Sequence, residues 1–110
     1  MQKYEVRFTI DFRDKVQKLY DYIIEQYNDP INATKLVNKI ERKCRRLAVF
    51  PKGYAVKVVR GGKEYRFVHI NRYTIAFTVN DKKKIVAVRT LFYPGQDVWR
   101  LLRSEGKKGM

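Results

Sequence analysis

The alternation of apolar and polar residues predicts a strand and then a helix at the start of the chain. Residues 4–10 have the two-residue period of a half-buried strand, whose apolar side carries Val6, Phe8 and Ile10. Residues 11–28 place their apolar side chains close to the spacing of one helical face. Asp11 is the expected N-cap of this helix, because a carboxylate accepts hydrogen bonds from free backbone amides in the first turn.

A second helix is predicted after Asn28-Asp29-Pro30, because proline disfavours helical geometry in the residue before it and lacks an amide donor. Its apolar side carries Ala33, Leu36, Val37, Ile40, Cys44 and Leu47. Its opposite side carries Lys35, Lys39, Arg42, Lys43, Arg45 and Arg46. Phe50-Pro51 ends the helix, and the two helices are expected to form a hairpin against a sheet.

The second half of the chain predicts a sheet. A short strand at residues 54–59 precedes a Gly61-Gly62 turn, and three antiparallel strands follow at residues 64–70, 73–80 and 85–92. The predicted fold class is α+β, with an N-terminal strand, a helical hairpin, a twisted antiparallel sheet and a short C-terminal helix. We expect a single domain over residues 1–105 and a flexible basic tail at residues 106–110.

The two-residue connection Asn71-Arg72 sets the register of the sheet, since it places Ile70 opposite Tyr73, Val68 opposite Ile75 and Arg66 opposite Phe77. A following turn at residues 81–82 or at residues 80–83 gives the same alternation of faces in the last strand. In either case Ile75, Phe77, Val86 and Val88 point towards the helices. The other face then carries Tyr65, Phe67, His69, Thr74, Ala76, Thr78, Ile85, Ala87 and Arg89. Such a trough accepts either the chain's own end, through Val98, Leu101 and Leu102, or a partner's helix.

Charge narrows the range of partners. The 110 residues include 25 Lys and Arg against 11 Asp and Glu, a formal net charge of +14, which favours a polyanion or an acidic protein as partner. One cysteine and one histidine exclude an internal disulfide and a zinc site of the usual spacing. We therefore expect no metal, no cofactor and a reducing cytoplasm, and the absence of a long apolar run indicates no membrane insertion.

Two motifs carry a resemblance to a known superfamily. Tyr65-Arg66-Phe67-Val68 is followed by Asn71-Arg72-Tyr73-Thr74-Ile75-Ala76-Phe77, and Val88-Arg89-Thr90-Leu91-Phe92-Tyr93 is followed by Gln96-Asp97. With the order of the elements, these stretches resemble the RelE/ParE toxins of bacterial type II toxin-antitoxin pairs, and ParE more than RelE. Tyr93 stands where ParE proteins often carry histidine, and Pro94 is unusual there. The resemblance covers nearly the whole chain.

The resemblance implies different roles in the two branches. RelE-like nucleases are expected to use a strand arginine, a later arginine and a helix tyrosine, which match here at or near Thr74, near Pro94, and at Trp99 or Arg100. These departures weigh against RelE-type cleavage. If the chain cleaves RNA, Arg89, Tyr93 and His69 are the candidate catalytic residues, because scission needs proton transfer and a cation on the phosphate. Each also has a structural interpretation: an ion pair for Arg89, an ordinary turn for Tyr93 and a packed ring for His69.

The remaining candidates are binding residues. Arg60, Lys63, Arg42, Lys43, Arg45 and Arg46 are expected to contact the target or RNA, although the helical cations equally suit a solvated face. Arg66 is expected on the helix side, half-buried beside a carboxylate. A cognate acidic antitoxin is the implied partner, and Tyr65, Phe67, Thr74, Ala76, Thr78 and Ala87 are its expected binding face.

Three functions follow as alternatives. The first is a ParE-like toxin that binds and inhibits DNA gyrase without doing chemistry. The second is a RelE-like endoribonuclease that cleaves mRNA on the ribosome. The third is a nucleic-acid-binding module without toxicity.

Overall fold

The computed structural model describes residues 3–98 and 100, which form five strands, two α-helices and two 3₁₀ turns. The elements are β1 (Glu5–Phe8), α1 (Ile10–Tyr27), α2 (Pro30–Arg45), 3₁₀ turns at Arg46–Ala48 and Pro51–Gly53, β2 (Val56–Arg60), β3 (Lys63–Ile70), β4 (Tyr73–Asn80) and β5 (Ile85–Phe92). The sheet order is β1-β5-β4-β3-β2. The predicted α+β class and order of elements are confirmed.

The N-terminal strand differs in detail from its prediction. β1 ends at Phe8 because Thr9 caps α1, its side chain accepting from the amide of Phe12 at 3.2 Å. The expected cap, Asp11, lies instead in the first turn, where a carboxylate favours the helix dipole. Ile10, expected on the buried side of the strand, begins the helix and is 79% exposed. The predicted cap at Asp11 and the predicted strand position of Ile10 were both wrong, because the helix begins directly after Thr9.

The helical hairpin forms where the sequence predicts it. Asn28 ends α1 in the left-handed conformation, with φ 49°, and its amide donates to the carbonyl of Ile24. Asp29 then caps α2 by accepting from the amide of Asn32 at 3.1 Å, and Pro30 occupies the first turn, where a missing amide costs nothing. The turn between the helices is therefore determined by three consecutive residues.

The sheet is mixed rather than antiparallel throughout. β1 pairs with β5 in parallel, with Val6 opposite Val86 and Phe8 opposite Val88, while all the other pairs are antiparallel. A parallel neighbour requires a long crossover, and the helical hairpin provides the first part of it. The first strand thereby becomes an edge of the sheet.

The predicted register between β3 and β4 is confirmed, with Ile70 opposite Tyr73, Val68 opposite Ile75 and Arg66 opposite Phe77. The loop to β5 spans residues 81–84, which is two residues longer than a turn at 81–82 and one residue later than a turn at 80–83. The predicted parity is preserved, since Val79 faces Val86. The helix-covered face of the sheet therefore holds the main core. Its fully buried members on the strands are Ile70, Ile75, Phe77, Val86 and Val88, which pack with Phe12, Leu19, Ile40, Cys44 and Leu47.

A bulge in β5 changes which residues reach each face. Phe77 pairs with Val88 but Ala76 pairs with Thr90, so Arg89 is the extra residue. The alternation shifts by one position after the bulge, and Leu91 joins the main core on the helix-covered face. Thr90 and Phe92 instead turn to the opposite face, which we call the open face.

The closing helix is only partly within the described residues. Val98 and Arg100 are helical, and the amide of Arg100 donates to Asp97 Oδ1 at 3.2 Å. Trp99, Leu101 and Leu102 lie outside the described residues, as does the predicted basic tail at residues 106–110.

Candidate functional site

A cleft lies on the open face at the end of the sheet that contains the Gly61-Gly62 turn. It has a volume of about 650 Å³, and its walls include Lys63, Thr78, Ala87 and Arg89. β3, β4 and β5 supply these side chains, and Ala87 faces Thr78 directly across two strands. We call this site the Arg89 cleft.

Arg89 is the half-buried cation of this cleft. The bulge positions its backbone, whose carbonyl accepts from Thr9 Oγ1 at 2.8 Å. Among the described residues, its guanidinium has neither an ion pair nor a hydrogen bond. A guanidinium next to small neighbours presents up to five donors to a ligand. The cleft can therefore bind a carboxylate or a phosphate.

The rest of the predicted antitoxin-binding face is less accessible. Tyr65, Phe67 and Ala76 are 7%, 8% and 0% exposed, and they form a second apolar cluster with Phe92. Val58 and Val98 pack against this cluster, so the chain's own C-terminal segment covers part of the trough. Thr74, Thr78 and Ala87 remain half-buried. The role of all six residues in binding an antitoxin stays a prediction.

The three candidate catalytic residues line three different cavities. Arg89 lies in its own cleft, His69 lines a cavity beside Lys43 and Arg46, and Tyr93 lines a third beside Tyr73. The exposed ring of His69 has Nδ1 at 3.1 Å from Thr74 Oγ1, its cross-strand neighbour. The structure does not bring these side chains together around one substrate position.

Two acid-base groups outside the Arg89 cleft, the Tyr93 phenol and the Cys44 thiol, stay protonated at neutral pH. Burial, and then the nearby Tyr73 phenol, raise the pKa of Tyr93 above its ordinary value of 10.0. Burial and then Glu41 raise the pKa of the Cys44 thiol to about 12, which keeps it protonated and unreactive at neutral pH.

The predicted basic residues form two separate patches. Arg42, Lys43, Arg45 and Arg46 are exposed at the end of α2, where cations favour the helix dipole. Arg45 already pairs with Glu41 at 3.2 Å and lies over the Phe8 ring at 5.1 Å.

The second patch flanks the Gly61-Gly62 turn, in which both glycines have positive φ. Arg60 of β2 and Lys63 of β3 are cross-strand neighbours there. Of these cations, Lys63 lines the Arg89 cleft. A target-binding role for either patch stays a prediction.

Arg66 has a structural role that the sequence predicts only in part. Its side chain is 11% exposed, and Nη1 donates to the carbonyls of Lys52 and Tyr54. Nη2 lies 3.8 Å from Glu64 Oε1. The expected helix carboxylate is thus replaced by backbone carbonyls and a strand neighbour. Arg66 ties the segment after α2 to the sheet.

Sequence reasoning missed a cluster of tyrosines around Tyr93. Tyr22 and Tyr27 from α1 approach Tyr73 and Tyr93, and together they line a cleft of about 680 Å³ that also contains Lys18 and Arg72. We call it the tyrosine cleft. The available signal was the position of Tyr22 on α1, outside the predicted apolar face. That face comprised Phe12, Val16, Leu19, Tyr20, Ile23, Ile24 and Tyr27.

The described residues contain neither a candidate metal site nor a candidate membrane-spanning helix. No group of three or more His, Cys, Asp or Glu side chains in residues 3–98 and 100 is arranged to hold a metal ion. Within the same part of the chain, neither helix has the length and apolar character needed to cross a membrane.

Solved structures show to which fold the chain belongs. The chain is similar to one in the chromosomal ParDE TA system from P. aeruginosa, with a TM-score of 0.70 and 17% identity over 84% of this chain and 97% of that chain. It is also similar to the RelBE2 toxin-antitoxin complex from Mycobacterium tuberculosis, with a TM-score of 0.56 and 18% identity over 87% and 97%.

The isolated E. coli RelE toxin gives a TM-score of 0.56 and 19% identity over 96% of this chain and 97% of that chain. These likenesses identify a RelE/ParE fold.

The sequence identifies the family within that class. A family model for the ParE toxin of the type II toxin-antitoxin system parDE matches residues 6–93. The chain therefore belongs to the ParE toxin family. No curated protein matches the sequence significantly.

Proposed function

We propose that this protein arrests growth by binding and inhibiting DNA gyrase, without carrying out chemistry itself. Membership of the ParE toxin family supports the toxin role. The choice of binding over RNA cleavage depends mainly on one observation: Arg89, His69 and Tyr93 line three different cavities. General acid-base catalysis requires such groups within hydrogen-bond reach of one substrate.

Arg89 is the residue expected to contribute most to target binding. It combines partial burial with a guanidinium that has no partner among the described residues. Arginines of this kind are frequent among the residues that dominate interface energy, because desolvated charge-assisted hydrogen bonds are strong. Lys63 adds a second cation to the same cleft.

An acidic antitoxin segment is the proposed inhibitor, bound across the open face. Charge complementarity supports this partner, because the chain carries a formal net charge of +14. The half-buried Thr74, Thr78 and Ala87 leave room for small contacts beside the Arg89 cleft. Such a segment loses conformational entropy when it folds on the toxin, which lowers its affinity for a given contact area. It would occupy Arg89 and thereby exclude the target.

The test is supercoiling by purified gyrase in the presence of the purified chain. We expect inhibition, and we expect Arg89→Ala to raise the concentration needed by at least about tenfold. Arg13→Ala is the matched control, since Arg13 is an exposed arginine on α1, away from the open face. It should leave inhibition unchanged.

A parallel assay separates the alternatives. The wild-type chain is added to translating ribosomes, and the mRNA ends are mapped. Cleavage in the ribosomal A site together with unaffected gyrase would replace the proposal by a RelE-like endoribonuclease. If expression in a bacterial host is harmless, and neither gyrase inhibition nor mRNA cleavage is observed, the non-toxic nucleic-acid-binding module becomes the favoured function.

A further inference from the structure

The tyrosine cleft lies apart from the Arg89 cleft. It is lined by α1, the β3–β4 turn and the segment that follows β5, whereas the Arg89 cleft is lined by the strands and their turns at the other end of the sheet. A ligand in the tyrosine cleft would therefore not compete directly for Arg89.

The tyrosine cleft combines flat aromatic rings with cations. Tyr22 and Tyr27 are 52% and 69% exposed, so their rings are open to solvent. Tyr73 and Tyr93 form the floor, in an edge-to-face pair with ring centroids 6.1 Å apart. None of the four phenolic hydroxyls makes a hydrogen bond within the described part of the chain. The rings are thus available to a ligand both as stacking surfaces and as hydrogen-bonding groups.

The charged side chains among the described residues that line the cleft are of one sign. Lys18 and Arg72 line it, and none of its described lining residues is a carboxylate. Burial raises the pKa of Tyr73, as do Tyr22 and Tyr27, while Arg72 opposes the rise. Burial and Tyr73 raise the pKa of Tyr93 as well. The two floor phenols are therefore neutral at physiological pH and add no negative charge.

We propose that the tyrosine cleft binds unpaired bases of a single-stranded nucleic acid, with Lys18 and Arg72 contacting the flanking phosphates. Interleaved aromatic rings and cations form the stacking platforms of single-strand binders, since every base has a π-face and every linkage a charge. The volume of about 680 Å³ lies within the range of pockets that hold small ligands and admits a nucleoside. An acidic peptide would use the two cations but would leave the four rings without a specific role.

The experiment measures the affinity of the full chain for a fluorescein-labelled oligouridylate, its deoxythymidylate counterpart and a duplex of similar charge. The double variant Tyr22→Leu, Tyr27→Leu should weaken single-strand binding by about tenfold for each lost stacking ring. Duplex binding, which depends on overall charge, should change little. Comparison of the oligouridylate with the deoxythymidylate oligonucleotide shows whether the cleft prefers RNA or DNA.

Matched variants distinguish the contribution of the two tyrosine rings to affinity from the general effect of a substitution. Tyr22→Phe with Tyr27→Phe keeps the rings and should retain most of the affinity. Phe50→Leu removes another aromatic ring, 74% exposed and outside the cleft, and should have no effect. Because Tyr22 and Tyr27 are exposed, the leucine variant should fold normally, which circular dichroism checks.

The salt dependence tests the two cations. Lys18→Gln with Arg72→Gln should reduce the slope of log affinity against log salt by about 1.4, the value for two contacts to single-strand phosphates. Lys35→Gln with Arg13→Gln removes the same two charge types from exposed positions outside the cleft, and should change the slope less.

Photo-crosslinking locates the bound base. An oligonucleotide that contains 5-iodouracil should crosslink to Tyr22, Tyr27, Tyr73 or Tyr93, as read by peptide mass spectrometry. Crosslinks confined to α2, or equal losses of single-strand and duplex binding in the leucine variant, would overturn the proposal. So would a leucine variant that loses affinity for a polyglutamate peptide but keeps its affinity for the oligonucleotides. None of these results depends on the effect on gyrase.

Discussion

On the helix-covered face of the sheet, Ile75 and Phe77 are fully buried, whereas Thr74 and Thr78, their neighbours on β4, remain half-buried on the open face. The covered face contains large apolar side chains closed off by the helices. The open face has a smaller apolar cluster, one buried threonine and an arginine, Arg89, whose guanidinium has no ion pair or hydrogen bond among the described residues. One face therefore provides most of the stability, and the other retains groups that can bind.

The difference follows from the packing partner. A face covered by two helices excludes water, so that any polar side chain there would lose its hydration without compensation. Among the described residues, the open face meets the short segment that includes Val98 and the Lys15 side chain of α1. Threonines and Arg89 can keep contact with water at its end, and remain free for a partner. The two faces should accordingly respond differently to substitution.

The largest expected effect is at the centre of the covered face. Phe77→Ala should lower the free energy of unfolding by about 3–5 kcal/mol, because it removes a fully buried ring and its edge-to-face contact with Tyr54 at 5.7 Å. Urea denaturation followed by circular dichroism measures it. Phe50→Ala is the control, since that ring is 74% exposed and should cost under about 0.5 kcal/mol. Equal losses in both variants would contradict the assignment of the main core.

A smaller effect is expected where polar groups are buried on the open face. Thr90 is fully buried and accepts from the Lys15 ammonium at 2.6 Å, while Lys15 also lies 5.6 Å from the centre of the Phe92 ring. Thr90→Val should cost about 1–2 kcal/mol, since it removes a charge-assisted hydrogen bond at nearly constant volume. The same urea titration measures it.

The matched control is Thr78→Val, a half-buried threonine of β4 without a side-chain hydrogen bond among the described residues. It should change the free energy of unfolding by less than about 0.5 kcal/mol. A Thr90→Val variant as stable as this control would show that the Lys15 contact does not stabilise the bulged strand.

The smallest effect is at an exposed contact in the loop between β4 and β5, beside the Arg89 cleft. Asp81 accepts from the Lys52 ammonium and the Tyr4 hydroxyl, each at 2.6 Å, and these hydrogen bonds hold the pKa of Asp81 below its ordinary value of 3.8. Because the folded pKa is lowered, the stabilisation is present above the ordinary value and is lost as pH falls through the folded value. Asp81→Asn should therefore lower the Tm slightly at neutral pH, and the difference from wild type should disappear in acid.

Thermal unfolding at a series of pH values measures this difference. Asp14→Asn is the control, an exposed aspartate without an ion pair or hydrogen bond among the described residues. Its difference from wild type should not depend on pH in the same way. An Asp81→Asn difference that persists in acid would mean that the charge of Asp81 is not its source.

The local elements and one register could be read from the sequence, because they depend on interactions between residues that are close in the chain. Asn28, Asp29 and Pro30 determine the hairpin by backbone geometry, and the two-residue turn after Ile70 determines how β3 meets β4. The family resemblance likewise depended on ordered short motifs. These predictions required no knowledge of distant contacts.

Only the tertiary structure decided how distant segments meet. The parallel pairing of β1 with β5 and the bulge at Arg89 depend on packing between segments about 80 residues apart, as the hydrogen bond from Thr9 to Arg89 illustrates. The tyrosine cleft brings Tyr22 to Tyr73 and Tyr93 in the same way. Periodicity indicates which side of an element is apolar, but the partner of that side is chosen by the burial of the whole chain. The separation of Arg89, His69 and Tyr93 therefore became evident only in three dimensions.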